Sequence, residues 1–542
     1  MELIDQHTKK IMENCKARAR EAGLKFEDET LEYIVTNREM TRLSPKTFVP
    51  TLYDYWVNDV EVLHGEGEYK LYPNNPYESV INSRPAISFY NDNNPDWMNA
   101  AIFYHVLAHI DFFQNNRLFK KTWNDDFVGQ ALADKRLIAK LRGEKGRWVD
   151  YTIEFSRGID NILGFYRELA EEEFPEEKAL SEKLDFYFNS FLQGELKLLP
   201  HEFLKELERF NSIPDESLRE SLFFSEVQTK HPEFAERFKK NLDKKKEKSK
   251  DLLEFLILNS PKLKKEENKW MIPIMHVVRN TGLYFAPQIR TKILNEGWAS
   301  YWHDKLFRQD GLLNTHETDY AIFNSKATTM PRMGLNPYAI GKALFEYVED
   351  LAEKGKMSLD FQRVQIIDAR KYYDQKTGKG QEAIFKLRES FSDFTVINTF
   401  VDQDFVDTNH LLILGQRFNP QKGVVEVYVK SKKAKDYKSM LLESLYHPPD
   451  IKIDSEKTDD SLIYLSHQFE GKPLVKDYIA NTMLGIEYLW GGKVQLETTE
   501  LIEKEESFPP HFFAGIPADE DEPEWQRVRY TMENRKISRE VL

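Results

Sequence analysis

At 542 residues the chain is too long for one ordinary domain, and 41% hydrophobic with 13% aromatic residues excludes a disordered one. Charged residues make up 31% and the formal charge is −14, a field that opposes binding to nucleic-acid phosphates. Cys15 is the only cysteine, which excludes intrachain disulfides and cysteine-ligated zinc, so any metal must be held by His and carboxylate groups.

The first predicted element is an amphipathic helix over residues 3–22, with Leu3, Ile4, His7, Ile11, Cys15 and Ala19 near helical spacing and Gly23 as its C-terminal cap. Its opening, MELIDQHTKK, lacks the basic-then-apolar order of a secretory signal, and no run of eighteen apolar residues follows anywhere. The expectation is a cytoplasmic protein with no integral membrane segment. Pro, Asn and Gly crowd the stretch from Pro45 to Pro95, which reads as loops around one strand, Ala86 to Tyr90. Long helical patterns dominate from Trp97 to about Leu351, with interruptions at Pro175, Pro200, Pro214, Pro261 and Pro287. Within them the charged run Lys239 to Asp251 reads as a solvated helix or linker. After about residue 385 strand-like runs (Thr395 to Phe400, Leu411 to Leu414, Val424 to Val429, Leu462 to Leu465, Val494 to Glu497) alternate with helical patterns at Tyr437 to Leu445 and Leu474 to Leu489. From about Glu503 the chain becomes Pro-rich and acidic, and reads as a surface tail. The expected fold class is α+β: a large, mainly α-helical domain over 1–385, a smaller α/β domain over 386–500 and an acidic, mixed-charge tail over 501–542.

Two helices carry the residues that suggest chemistry. In HVLAHIDFFQNN, residues 105–116, His105 and His109 are four apart and share a helix face, with Cβ atoms about 6 Å apart, a separation that suits one shared metal ion. Phe112 and Asn116 continue that face, while Asp111 points elsewhere and is expected to pair with or orient a neighbour. The spacing matches the two histidines of an HExxH helix, but Val106 stands where that motif carries its general base. In TKILNEGWASYWHDKLF, residues 291–307, Glu296, Ser300 and His303 form one polar stripe among Ile293, Leu294, Trp298, Tyr301, Trp302 and Leu306. Glu296 and His303 are about 10 Å apart along the axis, so Glu296 is the better ligand and His303 a candidate proton donor or supporting group. Other constellations carry less: Glu171, Glu172 and Glu173 face different ways on a helix, and His276 lies on an apolar run where a core histidine is the default. GxxxxGK[ST], GxGxxG and GxSxG motifs are all absent.

Five segments, YESVINSRPA (77–86), HVLAHIDFFQNN (105–116), YFAPQIRTKILNEGWASYWH (284–303), NPYAIGKALFEYVED (336–350) and HQFEGKPLVKDYIANTMLGIEYLWGGKVQLETT (467–499), resemble the SpoVR family, stage V sporulation protein R, in the same order. The resemblance implies a bacterial, cytoplasmic protein connected with spore cortex or, in non-sporulating bacteria, with peptidoglycan and stress physiology. It supplies no reaction. EGWA with its following aromatic is also similar to the helix bearing the glutamate ligand in some zinc peptidases, which implies a zincin-like two-helix site on His105, His109 and Glu296 holding zinc or another divalent transition metal. This chain departs from the family pattern at Asn280 and Thr281, where a glutamate pair is expected, and near Asn324, where a histidine is.

Two functions follow as expectations. One is a regulatory or scaffold protein whose α/β domain binds a protein partner; the absent HExxH glutamate and the two departures favour it. The other is a metal-dependent hydrolase acting on an amide of a cell-wall precursor or wall-related protein, with a peptide or peptidoglycan-related ligand and His303 moving protons. The cluster of ligands favours that one.

Overall fold

The computed structural model describes residues 2–36, 39, 79–120, 126–160, 181–195, 205–206, 209–210, 212–213, 219–244, 251–331, 334–419, 424–445, 449, 451–469, 473–502 and 524–542. The loops expected over 45–78, Glu171 to Glu173, Pro175, Pro200, Pro214, residues 245–250 of the charged run and 503–523 of the tail lie outside these residues. The architecture is mixed α and β, dominated by helices, with small sheets. No helix among the described residues is long and apolar enough to cross a membrane.

The chain forms two compact units, each assembled from two separate stretches: Met1–Asp150 with His276–His447, and Tyr151–Met275 with Pro448–Leu542. The texture change near residue 385 thus falls inside the first unit.

In the first unit, α1 (Gln6–Glu21) starts where Asp5 accepts the Thr8 amide at 2.7 Å. It ends at Glu21 with Ala22 as its C-cap, and Gly23 follows, whose φ of +100° is left-handed and suits glycine. A four-stranded sheet of order β1-β2-β4-β3 follows from β1 (Glu2–Leu3), β2 (Thr30–Val35), β3 (Ser79–Ile81) and β4 (Ala86–Asn91). The helix α2 (Asp96–Asn115) is buried on nearly every side from Trp97 to Phe113. It packs against α3 (Lys292–Phe307), and α3 in turn against α5 (Pro337–Glu353). The shorter α4 (Glu317–Thr328), α6 (Gly380–Ser390) and α7 (Asp393–Phe400) complete the frame. Residues of α1, α2, α3, α5, α6 and α7 share one continuous apolar core.

Two local expectations fail here. Thr395 to Phe400 is helical, part of α7, because Ser392 and Thr395 form a reciprocal capping box that outweighs the β-branched composition. Pro287 sits inside the helix Met271–Arg290, and the break comes at Thr291, which is the N-cap of α3. The same unit also holds a two-stranded hairpin, β5 (Ile413–Asn419) and β6 (Val424–Ser431), followed by a helix over Ala434–Ser444.

The second unit holds a sheet of order β11-β10-β9-β8-β7, built from β7 (Ile451–Ile453), β8 (Leu462–His467), β9 (Lys493–Leu501), β10 (Trp525–Glu533) and β11 (Lys536–Val541). The helix α8 (Lys476–Trp490) connects the parallel pair β8 and β9. Residues 525–541, expected to belong to a surface tail, are instead two strands of this sheet. Val528 and Met532 bury on its inner side, and Asn534 and Arg535, both at positive φ, make the two-residue turn between them. A separate aromatic cluster of Tyr187, Phe191, Phe223, Phe224 and Phe234 holds the helices Phe186–Glu195, Arg219–Lys230 and Phe234–Lys244 together.

Candidate metal centre

His105 and His109 lie on the middle of α2, only 5% and 3% exposed, with ring centroids 4.7 Å apart. Glu296 enters from α3. Its Oε2 is 3.5 Å from His109 Nε2 and 3.9 Å from His105 Nε2, and ligand atoms of the three residues all lie within 4.8 Å of one another. A tetrahedral ion with bonds near 2 Å needs ligand edges of about 3.3 Å, so the separations here exceed a coordinating arrangement by at most about 1.5 Å. Glu296 Oε2 is buried and accepts no hydrogen bond among the described residues. A buried carboxylate oxygen facing two imidazoles fits a cation.

The hydrogen bonds behind the imidazoles determine which nitrogens face Glu296. Asp304 accepts from Lys342, Arg308 and Tyr320 at 2.6, 2.7 and 3.0 Å. Burial alone would raise this carboxyl, but Lys342 and Arg308 outweigh it and hold it below its ordinary value, so Asp304 is an acceptor. The Asn324 amide nitrogen therefore turns toward Asp304 (3.2 Å), which leaves its oxygen to accept from His303 Nε2 at 3.0 Å. With its proton on Nε2, His303 accepts at Nδ1 from His105 Nδ1, 2.9 Å away. His105 then presents the lone pair of Nε2 to Glu296. The same logic is shorter at His109, whose Nδ1 donates to the Asn295 side-chain oxygen at 2.9 Å and whose Nε2 lone pair faces Glu296. Orientation of this kind is what outer hydrogen bonds supply to metal-ligating histidines.

Of the residues singled out in the sequence, His105, His109 and Glu296 come together. His303 does not face Glu296; it sits on the far, Nδ1 side of His105. Ser300 is buried one turn from Glu296, with a hydroxyl that has no hydrogen-bond partner among the described residues. Asp111 turns away from the three ligands, where it accepts from Trp298 Nε1 (2.8 Å) and the Lys25 amide (2.7 Å) and pairs with Arg388 (3.2 Å). Asn116 is at the end of α2 and donates to the carbonyls of Arg388 and Phe391, remote from the ligands in role. Val106 is buried in the apolar core. The Thr281 hydroxyl is spent on the Val277 carbonyl one turn earlier in its own helix.

Sequence reasoning missed Asn295, the supporting role of Asn324, and Asp393. Asn295 had one available signal, its place beside Glu296 at the start of NEGWASYWH. Asp393 had none, since it acts 100 residues from its target: its two oxygens accept the Ile293 and Leu294 amides at 2.8 and 2.9 Å and cap α3 where the Thr291 side chain does not. Burial pushes the Asp393 carboxyl up to about 7, against the pull of those two amides. A carboxyl raised above its unfolded value near 4 gives its full contribution to stability below that value and loses it as the pH rises through 7. In metal-free protein, Asp393→Asn should therefore flatten the fall in melting temperature between pH 4.5 and 7.5. An unchanged slope would assign that fall to other groups.

Comparison with known proteins follows the same residues. A family model described as SpoVR like protein matches residues 3–447, which include every residue of the centre and its supports. The Uncharacterized protein YcgB of Escherichia coli (strain K12) is 25% identical over 346 residues, 59% of this chain and 59% of that protein, so the match spans about three-fifths of the relative's length. No solved structure gives a significant match.

Proposed function

The chain belongs to the SpoVR family, and from that membership and the site geometry we propose that it is a cytoplasmic regulatory or scaffold protein built around one divalent transition-metal ion, zinc first, held by His105, His109 and Glu296. The observation that carries this reading is the convergence of the three ligand atoms within 4.8 Å on two buried helices. The family points to spore cortex, peptidoglycan or stress physiology as the process served. In this reading His303, Asn324 and Asn295 fix the imidazole tautomers, and Asp393 fixes the start of the helix that bears Glu296.

One observation favours the alternative, a metal-dependent hydrolase of the zincin type acting on an amide of a wall precursor or wall-related protein. Three protein ligands leave one position of a tetrahedron open, as catalytic zinc sites do, and the chemistry supplied there is polarisation of a carbonyl and acidification of a bound water. Against it, Val106 supplies no base and His303 is committed to His105.

Elemental analysis of protein purified without a histidine tag tests the reading. One equivalent of metal is expected in the wild type. His109→Ala and Glu296→Gln should weaken binding by more than about 100-fold, beyond the 10–100-fold typical of a lost supporting group, and Asn324→Ala should fall within that smaller range. Equal metal content in the wild type and His109→Ala overturns the centre. His303→Ala separates the two functions: it should weaken metal binding as Asn324→Ala does, whereas a hydrolase using His303 as proton donor would keep its metal and lose turnover.

A further inference from the structure

The hairpin β5–β6 exposes a row of apolar side chains. In β6, Val425, Val427 and Val429 are 58%, 53% and 47% exposed, and alternation places all three on one face. The opposite face is covered by its own side chains: the Tyr428 ring lies over Gly415, and Arg417 pairs with Glu426 at 3.2 Å while its guanidinium stands 5.6 Å from the Tyr428 ring. Neither strand pairs with a third among the described residues. A two-stranded ribbon with one bare valine face is marginal by itself, and free strand edges are templates for a further strand.

Charge selects the occupant. Lys430, Lys432, Lys433 and Lys435 follow the valines directly, are exposed, and have no carboxylate partner among the described residues. In a chain of net charge −14 this is a local basic rim. It repels a second copy of itself and attracts acid. We propose that this hairpin is a docking surface for a partner protein's extended segment, which adds as a strand to the β6 edge, covers the valine stripe with alternate apolar side chains and places acidic residues against the lysine rim. The inference rests on the partner-binding part of the regulatory reading and gives it an address.

The test uses the full chain and two fluorescein-labelled ten-residue peptides of alternating Val and Thr, one ending in three glutamates and one in three lysines, followed by anisotropy. The acidic peptide should bind at least ten-fold more tightly, lose that margin as salt screens the rim, and slow amide exchange along β6. Val427→Asp, and separately the triple change Lys432→Glu, Lys433→Glu and Lys435→Glu, should each weaken it at least ten-fold. These positions are exposed, so circular dichroism should show an unchanged fold. Equal binding of the two peptides, or binding indifferent to Val427→Asp, overturns the proposal. A dimer in sedimentation that Val427→Asp dissolves also overturns it and reassigns the face to a second copy. Metal content measured on the same variants should stay at the wild-type level, so failure of the surface and failure of the metal centre are read separately.

Discussion

Asp111→Ala should destabilise the fold by about 3–5 kcal/mol, the range found when one partner of a buried ion pair is removed. Asp111 is fully buried, and three donors on distant stretches converge on it: the Trp298 indole of α3, the Lys25 amide and the Arg388 guanidinium of α6. Burial pushes its carboxyl up to about 6 even with Arg388 opposing. Alanine strands a buried cation, an indole N–H and an amide at once, and each unsatisfied group adds its own penalty. Urea denaturation reads the loss. The double variant Asp111→Leu with Arg388→Met should recover part of it, because an apolar pair leaves no buried charge uncompensated. A cost under about 1 kcal/mol for Asp111→Ala would mean that water or backbone movement replaces its bonds.

Gly341→Ala should cost about 3 kcal/mol, the upper end of ordinary overpacking, and should loosen metal binding in the same protein. A Cβ added at Gly341 would stand 2.0 Å from the Ile293 carbonyl oxygen and 2.6 Å from the Gly297 Cα, and one added at Gly297 would stand 2.3 Å from the Gly341 carbonyl carbon. These are backbone atoms, so neither helix can yield by rotating a side chain; α3 and α5 must separate. Gly297 follows Glu296 directly, so a shift of α3 at the crossing displaces the carboxylate relative to His105 and His109. Chemical denaturation and metal titration of this variant should therefore change together. A stable Gly341→Ala with weakened metal, or the reverse, would break the link between the crossing and the site.

The sequence made the ligands legible because their signal is local. The four-residue step from His105 to His109 and the segment NEGWASYWH are each contained within a few helical turns. The strands Val424 to Val429, Leu462 to Leu465 and Val494 to Glu497 were legible for the same reason, since alternation needs no partner to be seen. Misreading came where local signals compete. TVINTF carries strand-forming residues behind a helix cap, and the cap wins because it satisfies amides that a strand start would leave to water. The hairpin at 525–541 hid behind an Asn-Arg turn, which lacks the glycine that normally announces left-handed turn residues. What holds the site was not legible at all: Asp393 acts on α3 across 100 residues and Asp111 on Trp298 across 187, and no window of sequence joins them. The same limit hides the composite units, whose halves are separated by an intervening stretch.

That separation also sets an order in time. Translation at about 5–20 residues per second delivers α2 long before its partners. Since Asn295 follows His109 by 186 residues, the histidine helix waits roughly 10–40 s on the ribosome before α3 exists to cover it. The part of its apolar surface that α3 will cover stays open during that interval, and only after the Asp393 cap has emerged can α3 be pinned in place. The convergence of His105, His109 and Glu296 is thus among the last features of the first unit to become possible, long after the helix that carries both histidines has been made.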